Sequence, residues 1–353
     1  MIKKKYILPL LLFIQIIVLK IVSFFPEFIE KYYSNGLYPI ISKISRTTFG
    51  FTSVSIGDLI YGIVLFLIFR WFWNVRKTWK INWKDNLLKV LGFASVFYFL
   101  FHFLWATNYH RVKLFEKMEI DKEYSIEELE AFTLKLIKKT NVIHQQITQN
   151  DSVKVVVPYS NQEIFDLSVK SYTSLEKEFS FFGYEKESIK PSLISIPLSY
   201  MGFGGYLNPF TNEAQVNDRL PKYNFPTTTL HEMAHQIGYA SESEANFIGF
   251  LASVKSDDIY FQYSGYSFAV KHCLRNLERI EEGSSEKFLP FINPGVLENF
   301  AESKQFHEEY KTFLEPIFKT FYDNFLKFNQ QKDGLEGYSK FVGLMIGMEK
   351  SVQ

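Results

Sequence analysis

Cysteine is nearly absent from this chain: Cys273 stands alone among 353 residues. That excludes an intrachain disulfide, a thiolate zinc site and a CxxC redox pair. It leaves the compartment open, since a domain without disulfides folds on either side of a membrane. An excess of charge of one sign is also missing. With 39 Lys and Arg against 38 Asp and Glu the net charge is +1. The whole chain therefore carries no electrostatic signature of nucleic-acid binding. There is no internal repeat and no low-complexity segment.

Aromatic residues, by contrast, are plentiful. Much of the store of 37 Phe and 21 Tyr lies in the first 110 residues, which points to lipid contact. Three runs there approach the roughly 20 apolar residues that cross a bilayer. They cover about 6–25, 56–73 and 87–106, and the first follows Lys3, Lys4 and Lys5. The first run is too long for a signal peptide, Lys20 interrupts it, and no small-residue cleavage site follows Phe24-Phe25-Pro26. It reads as a retained span.

Basic residues orient the spans. The connection between the second and third carries Arg70, Arg76, Lys77, Lys80, Lys84 and Lys89. The longer connection between the first and second carries Lys31, Lys43 and Arg46, offset by Glu27 and Glu30. The positive-inside rule puts the N-terminus and the basic connection in the cytoplasm, and everything after about Asn108 outside. Trp71, Trp73, Trp83 and Trp105 suit interfacial belts. Asp58 and His102, within or beside spans, read as interfacial or interhelical hydrogen-bonding residues rather than an ion path, with Asp58 reaching headgroup water.

From about Glu116 the composition is that of a mixed globular domain. Capping boxes at Ser125–Glu128 and Ser160–Glu163 predict helices to about Gln149 and Phe181. Val153–Pro158 reads as a strand. Residues 190–217, rich in Gly, Pro, Ser and Tyr, predict strands and turns, with Leu193–Ile196 among the strand candidates. From about Pro226 to the end the pattern is helical, broken near Gly283 and around Pro290–Pro294. His110, His144 and His307 carry no motif and read as solvated or capping residues.

The chemistry concentrates at His231-Glu232-Met233-Ala234-His235. Two histidines four apart on a helix leave by one face and can share a zinc ion. Glu232 between them is placed to take a proton from a zinc-bound water that attacks a carbonyl, and to pass it to the leaving amine. With seven histidines in the chain, chance produces this string only about once in 100 such sequences, so composition does not explain it. Pro226-Thr227-Thr228-Thr229 starts the helix and Gly238 stops it. Leu230, Met233, Ala234, Ile237 and Tyr239 make it mostly buried, and buried imidazoles without a shared partner are costly.

A catalytic zinc needs a third protein ligand and an open position. Glu242 and Glu244 compete. Ser241 and Glu244 have the spacing of a capping box, which would occupy Glu244, so Glu242 is favoured and Glu244 is the alternative. Asn246, four residues after Glu242, shares its helical face and is placed to orient a ligand histidine.

HExxH followed by Glu242-x-x-Ala245-Asn246 resembles the gluzincin metallopeptidases. The resemblance implies His231, His235 and Glu242 as zinc ligands, Glu232 as base and Asn246 as the residue supporting a histidine. The six residues between His235 and Glu242 are fewer than gluzincins usually insert. A wider pattern resembles an uncharacterised family of three-span bacterial membrane proteins. It comprises Ser55-Ile56-Gly57-Asp58, Leu104 to Tyr109, Asn208 to Asn217, and His231 to Asn246.

Together these imply a three-helix transmembrane region over 1–110 and a mainly α, α+β zincin-like metallopeptidase domain over 116–353. The domain would lie outside a bacterial cytoplasmic membrane. In zincin folds an edge strand before the metal helix binds peptide by strand addition. Tyr206 to Asn217 would supply it, with Tyr206 and Asn217 as substrate contacts, or form a turn-rich lid. Tyr263, Tyr266, His272 and Arg275 are candidate oxyanion donors, Tyr263 and His272 foremost. Partners would be the bilayer and a peptide or protein substrate, with no nucleic acid. Competing functions are a zinc amidase of the cell envelope, and a scaffold or sensor with structural zinc, against which the intact Glu232 argues. HExxH lies about 125 residues beyond the last span, which disfavours cleavage inside the bilayer.

Overall fold

A run of apolar residues in lipid must satisfy its own backbone, and a helix does so within one segment. In the computed structural model, which describes residues 4–313, 315–329 and 338–352, all three runs are helices. They are α1 (Ile7–Val22), α3 (Ile56–Val75) and α4 (Trp83–Leu104), each long and apolar enough to cross a membrane. The third starts at Trp83, before its apolar core, because Asp85 and Asn86 take the polar first turn. α1 and α4 pack together, whereas among the described residues α3 makes at most peripheral contact with either. Ile17, Ile63, Leu65 and Phe93 point outward, the surface a hydrocarbon solvent would wet.

The connection between the first two spans is helical: a π-helical stretch Ile29–Leu37 runs into α2 (Tyr38–Phe49). Beyond the third span lie α5 (Ile126–Thr148) and α6 (Asn161–Glu178), both with the expected capping boxes complete. α6 ends three residues early and gives way to a 3-10 turn at Ser180–Phe182. A three-stranded sheet of order β1-β3-β2 follows. β1 (Ile189–Pro191) runs parallel to β3 (Glu213–Val216), and β2 (Gly205–Asn208) pairs antiparallel with it as the edge.

Two expected strands do not form. Leu193–Ile196 turns into α7 (Ser195–Met201). Val153–Pro158 is extended but unpaired with any strand, because Asn299 takes both hydrogen-bonding groups of Val155, at 3.0 and 3.1 Å. The remaining helices are α8 (Phe225–Gln236), α9 (Glu242–Val254), α10 (Ile259–Ile280), α11 (Pro294–Tyr310), α12 (Glu315–Phe328) and α13 (Tyr338–Val352). The breaks fall at Gly283, whose φ is +83°, and before Pro294, as the sequence predicts. Lys3 and the helical continuation expected over 330–337 lie outside the described residues.

The core runs from α5 and α6 through α8, α9 and α10 to α13, and buries Leu230, Met233, Phe247, Phe261 and Phe341. The membrane part is keyed into this body rather than hung from it. Asp58 accepts from Ser192 Oγ at 3.0 Å and Leu193 N–H at 2.8 Å, and Tyr206 donates to it as well. Asp58 is buried in those contacts, not opened to headgroup water. The His102 imidazole hydrogen-bonds along its own helix to Tyr98 O at 2.9 Å, while its backbone carbonyl accepts from Tyr33 Oη of the neighbouring helical stretch at 3.1 Å.

Candidate metal centre

α8 begins with Pro226 in its first turn, where the missing N–H costs nothing, and is cemented by Thr227 against Ser253 and Ser264. α9 lies against it at a close approach. A Cβ on Gly249 would sit 3.0 Å from His231 N, so only glycine lets the two helices meet there. Gly238, at φ +90°, reverses the chain between them. Its added Cβ would also stand 3.0 Å from Tyr38 and 3.1 Å from Asn108. Gly238→Ala should therefore destabilise the protein by about 1–2 kcal/mol. The check is the unfolding midpoint in detergent, and an unchanged midpoint would contradict the strain argument.

This reversal brings Glu242 to the two histidines. Glu242 Oε2 lies 3.3 Å from His231 Nε2, and Oε1 lies 3.7 Å from His235 Nε2. The imidazole rings are 4.8 Å apart and perpendicular. His235 Nδ1 is 2.7 Å from Tyr239 O. A carbonyl only accepts, so Nδ1 holds the proton and Nε2 is left as a lone pair facing the cluster.

Glu244 points elsewhere, accepting from Leu114 N–H at 2.8 Å. The expected capping box is not made: Ser241 caps nothing with its side chain and meets Ser243 Oγ instead. Glu244 is thus occupied, though by a different backbone group. Asn246 lines the same cavity as His231 and stands close enough for its side chain to help raise the His231 pKa, although neither His231 Nδ1 nor Asn246 Nδ2 makes a well-formed hydrogen bond among the described residues.

Electrostatically the two carboxylates diverge. Burial pushes Glu232 up to about 8, with Glu242 adding to the rise and His231 opposing it. Burial also raises Glu242, but the His231 hydrogen bond, the charges of both histidines and Tyr322 outweigh it and bring it to about 2. Burial lowers His235 to about 4. One carboxylate therefore stays anionic while its neighbour can carry a proton near neutral pH, the division that acid–base chemistry requires.

The donor atoms of His231, Glu232 and His235 also fall within 4.8 Å of one another. Glu242 is still the better third ligand, because it alone spans both Nε2 atoms, and Glu232 Oε2 is buried without a partner. Two imidazoles, an anionic carboxylate and orphaned buried polar atoms make a donor set that could hold a metal ion.

The membrane part braces this helix from below. Trp105 Nε1 donates to His235 O at 3.0 Å, Tyr38 Oη to Gln236 O at 2.8 Å, and Arg111 to Gly238 O at 3.0 Å. These satisfy carbonyls that a helix end otherwise leaves open. Trp105 is accordingly buried, and does not form part of an interfacial belt.

A cavity of about 440 Å³ opens on the cluster. Gly202 to Leu207 form one wall, so β2 is the strand beside Glu232, and a Cβ on Gly205 would stand 2.7 Å from Glu232 Oε1. Tyr206 lines the cavity as expected. Asn217 does not, since its amide is spent on Ser199 Oγ and Phe203 O. The oxyanion candidates are also displaced. Tyr263 is buried with its hydroxyl on Asn299 Oδ1 at 2.7 Å, and His272 packs against Phe268 and Phe341.

Neither Tyr263 nor His272 lines the cavity, and nor do Tyr266 and Arg275. The tyrosines that do include Tyr109, just past the third span, and Tyr322 on α12, whose hydroxyl donates to Glu242 Oε1 at 2.7 Å. Tyr109 belongs to the Leu104–Tyr109 block that the sequence singles out. Tyr322 has no motif around it, and only the fold brings it in. His144 is buried between Val153 O and Asn293, not solvated.

The family model described as "Protein of unknown function (DUF3810)" matches residues 33–346. No curated protein and no solved structure matches the chain.

Proposed function

Because the chain belongs to the DUF3810 family, whose function is unknown, we propose its reaction from its own residues: it is a membrane-anchored zinc metallopeptidase. The observation that carries this reading is Glu242 reaching both histidine Nε2 atoms, with a second buried carboxylate, Glu232, whose Oε2 has no partner among the described residues, beside an edge strand. His231, His235 and Glu242 would hold the metal. Zinc, when bound, supplies a Lewis acid and an acidified water at neutral pH.

The remaining work falls to the protein. β2 aligns an extended peptide by strand addition, since alternate backbone groups of an edge strand point away from the sheet. Glu232 Oε2 accepts a proton on the attack side and returns it to the leaving amine. Tyr109 lines the cavity and would offer its hydroxyl where charge develops on the carbonyl oxygen, whereas the Tyr322 hydroxyl is spent on Glu242 Oε1. Burial holds Tyr109 well above its ordinary pKa, so it stays a donor. In this reading the body around the cluster is zincin-like. It lies outside a bacterial cytoplasmic membrane, with the N-terminus inside, as the basic residues between α3 and α4 imply.

The test is metal analysis of purified protein combined with cleavage of a peptide library before and after chelation. One zinc per chain and cleavage lost on chelation and regained with zinc are expected. Zinc retained without cleavage of any peptide would sink the peptidase and leave a structural zinc site. Tyr322→Phe keeps the ring and removes the hydrogen bond to Glu242. Zinc affinity should then fall about tenfold to a hundredfold in competition with a chelator. Unchanged affinity would show that Tyr322 does not position the ligand.

A further inference from the structure

The cavity beside the metal cluster is built partly from the spans themselves. Tyr61 of α3 and Phe97 and Phe101 of α4 line it together with His231 and Glu232. Phe97 lies seven residues before the end of α4, roughly 10 Å down the helix axis. Tyr61 lies five residues into α3, roughly 8 Å from its start. Phe210, at the tip of the β2–β3 hairpin, sits between them, with ring centroids 5.3 Å from Phe97 and 6.2 Å from Tyr61. The floor of the cavity is therefore aromatic and is built from the neighbouring ends of α3 and α4.

Among the described residues α3 and α4 make at most peripheral contact with each other. α4 packs with α1, while α3 is fastened at its N-terminal end, through Gly57 and Asp58, to Glu213, Ser192 and Tyr206. Phe97 is 47% exposed. Phe97 thus belongs both to the exposed face of α4 and to the lining of the cavity, which Tyr61 of α3 also lines. Along one wall of that cavity runs β2. Asn217 N–H donates to Gly204 O, so by the two-residue alternation of an antiparallel ladder the backbone groups of Gly205 and Leu207 are turned away from β3. An acyl chain has no use for such an edge; an extended polypeptide does.

We propose that the substrate is the juxtamembrane segment of another membrane-anchored polypeptide. Its anchor stands in the bilayer beside α3 and α4, on the side where Tyr61 and Phe97 line the cavity, and its first residues outside the bilayer lie along β2. This rests on the metallopeptidase reading above and names its substrate class. The aromatic floor takes the apolar end of the segment, where Phe and Tyr suit a surface that is wet on one side and apolar on the other. The edge strand takes the backbone next to it.

The experiment uses the full chain, zinc-loaded, in phospholipid vesicles, with one peptide library presented in three ways. The library is free in solution, fused directly to a single transmembrane anchor, or fused to that anchor through a spacer of about 30 Gly and Ser residues. The spaced form shares the membrane but not the proximity, so it removes the trivial gain from co-localisation. Cleavage of the direct fusion is expected to exceed both others by about tenfold or more, with cuts within about six residues of the anchor, roughly 20 Å of extended chain.

Equal cleavage of the spaced and direct fusions, or preference for free peptide, overturns this inference while leaving the peptidase standing. No cleavage in any format defeats the peptidase reading itself, and this proposal with it.

A second measurement does not depend on turnover. Phe97→p-benzoylphenylalanine in a Glu232→Gln chain should give a photoadduct with the direct fusion. An adduct with phospholipid alone, or equally with free peptide, counts against the proposal.

Discussion

Glu232→Gln should retain zinc and lose turnover by roughly 10²–10⁴-fold. Glutamine has the shape of glutamate but cannot take up a proton, so the substitution removes one function and little else. Glu232 is 4% exposed, and its Oε2 has no partner in the protein. Burial has already pushed it to about 8, where uptake and release of a proton near neutral pH are both accessible. No neighbouring donor depends on Oε2, so the fold should be indifferent to the change. The measurements are kcat on a cleaved library peptide and zinc per chain. A wild-type rate would remove Glu232 from the reaction. Loss of zinc together with activity would make Glu232 a ligand and transfer the role of base to another group, a real alternative given how closely it stands to both histidines.

The largest expected effect on stability lies away from the cluster. Lys190 and Glu213 form a buried ion pair, 2% and 0% exposed. Lys190 also donates to Phe49 O at 2.5 Å, to Thr52 Oγ1 at 3.1 Å and to Val54 O at 3.1 Å, the turn that enters α3. Glu213 in turn accepts from Ile56 N–H at 3.1 Å and Gly57 N–H at 2.5 Å, at the first turn of that span. The pair clamps a transmembrane helix to the sheet.

Lys190→Met leaves a carboxylate buried without its cation, and breaking such a pair costs about 3–5 kcal/mol. The lower end is expected, because the helix N-terminus and Thr211 still donate to Glu213. The unfolding midpoint in detergent should fall accordingly, and adding Glu213→Gln should restore part of the loss by removing the uncompensated charge. An unchanged midpoint for Lys190→Met would show that the clamp does not hold the span.

Several features could be read before any fold was known because their physics is local. Three apolar runs must be helices in lipid, and HExxH on a helix must place both histidines on one face. Ser125 and Ser160 with their glutamates must cap. Gly238 must turn the chain, for a left-handed residue there is a local demand of the backbone. Glu242, not Glu244, reaches both histidine Nε2 atoms, and Ser241 makes no side-chain cap to occupy Glu244. Local spacing suggested a cap, whereas the partner of Glu244 is Leu114, 130 residues away.

The oxyanion candidates failed for a related reason. Tyr263, Tyr266, His272 and Arg275 follow the motif closely in sequence, but none of the four lines the cavity, which α10 reaches with Phe268. Tyr109 and Tyr322 reach it from either end of the chain.

What the sequence by itself determined, then, was the set of long apolar helices, the HExxH helix and the turn after it. Each follows from residues within a few positions of one another, where covalent geometry and hydrophobic period leave little choice. Only the tertiary structure decided that Trp105, Tyr38 and Arg111 brace the carbonyls at the end of the metal helix, that Asp58 is tied to the sheet, and that Phe97 and Tyr61 floor the cavity. By sequence the cluster lies far beyond the last span, yet by packing it sits at that span's end. Buried carbonyls and charges take their partners from wherever the packed chain brings a donor, and chain separation sets no limit on that.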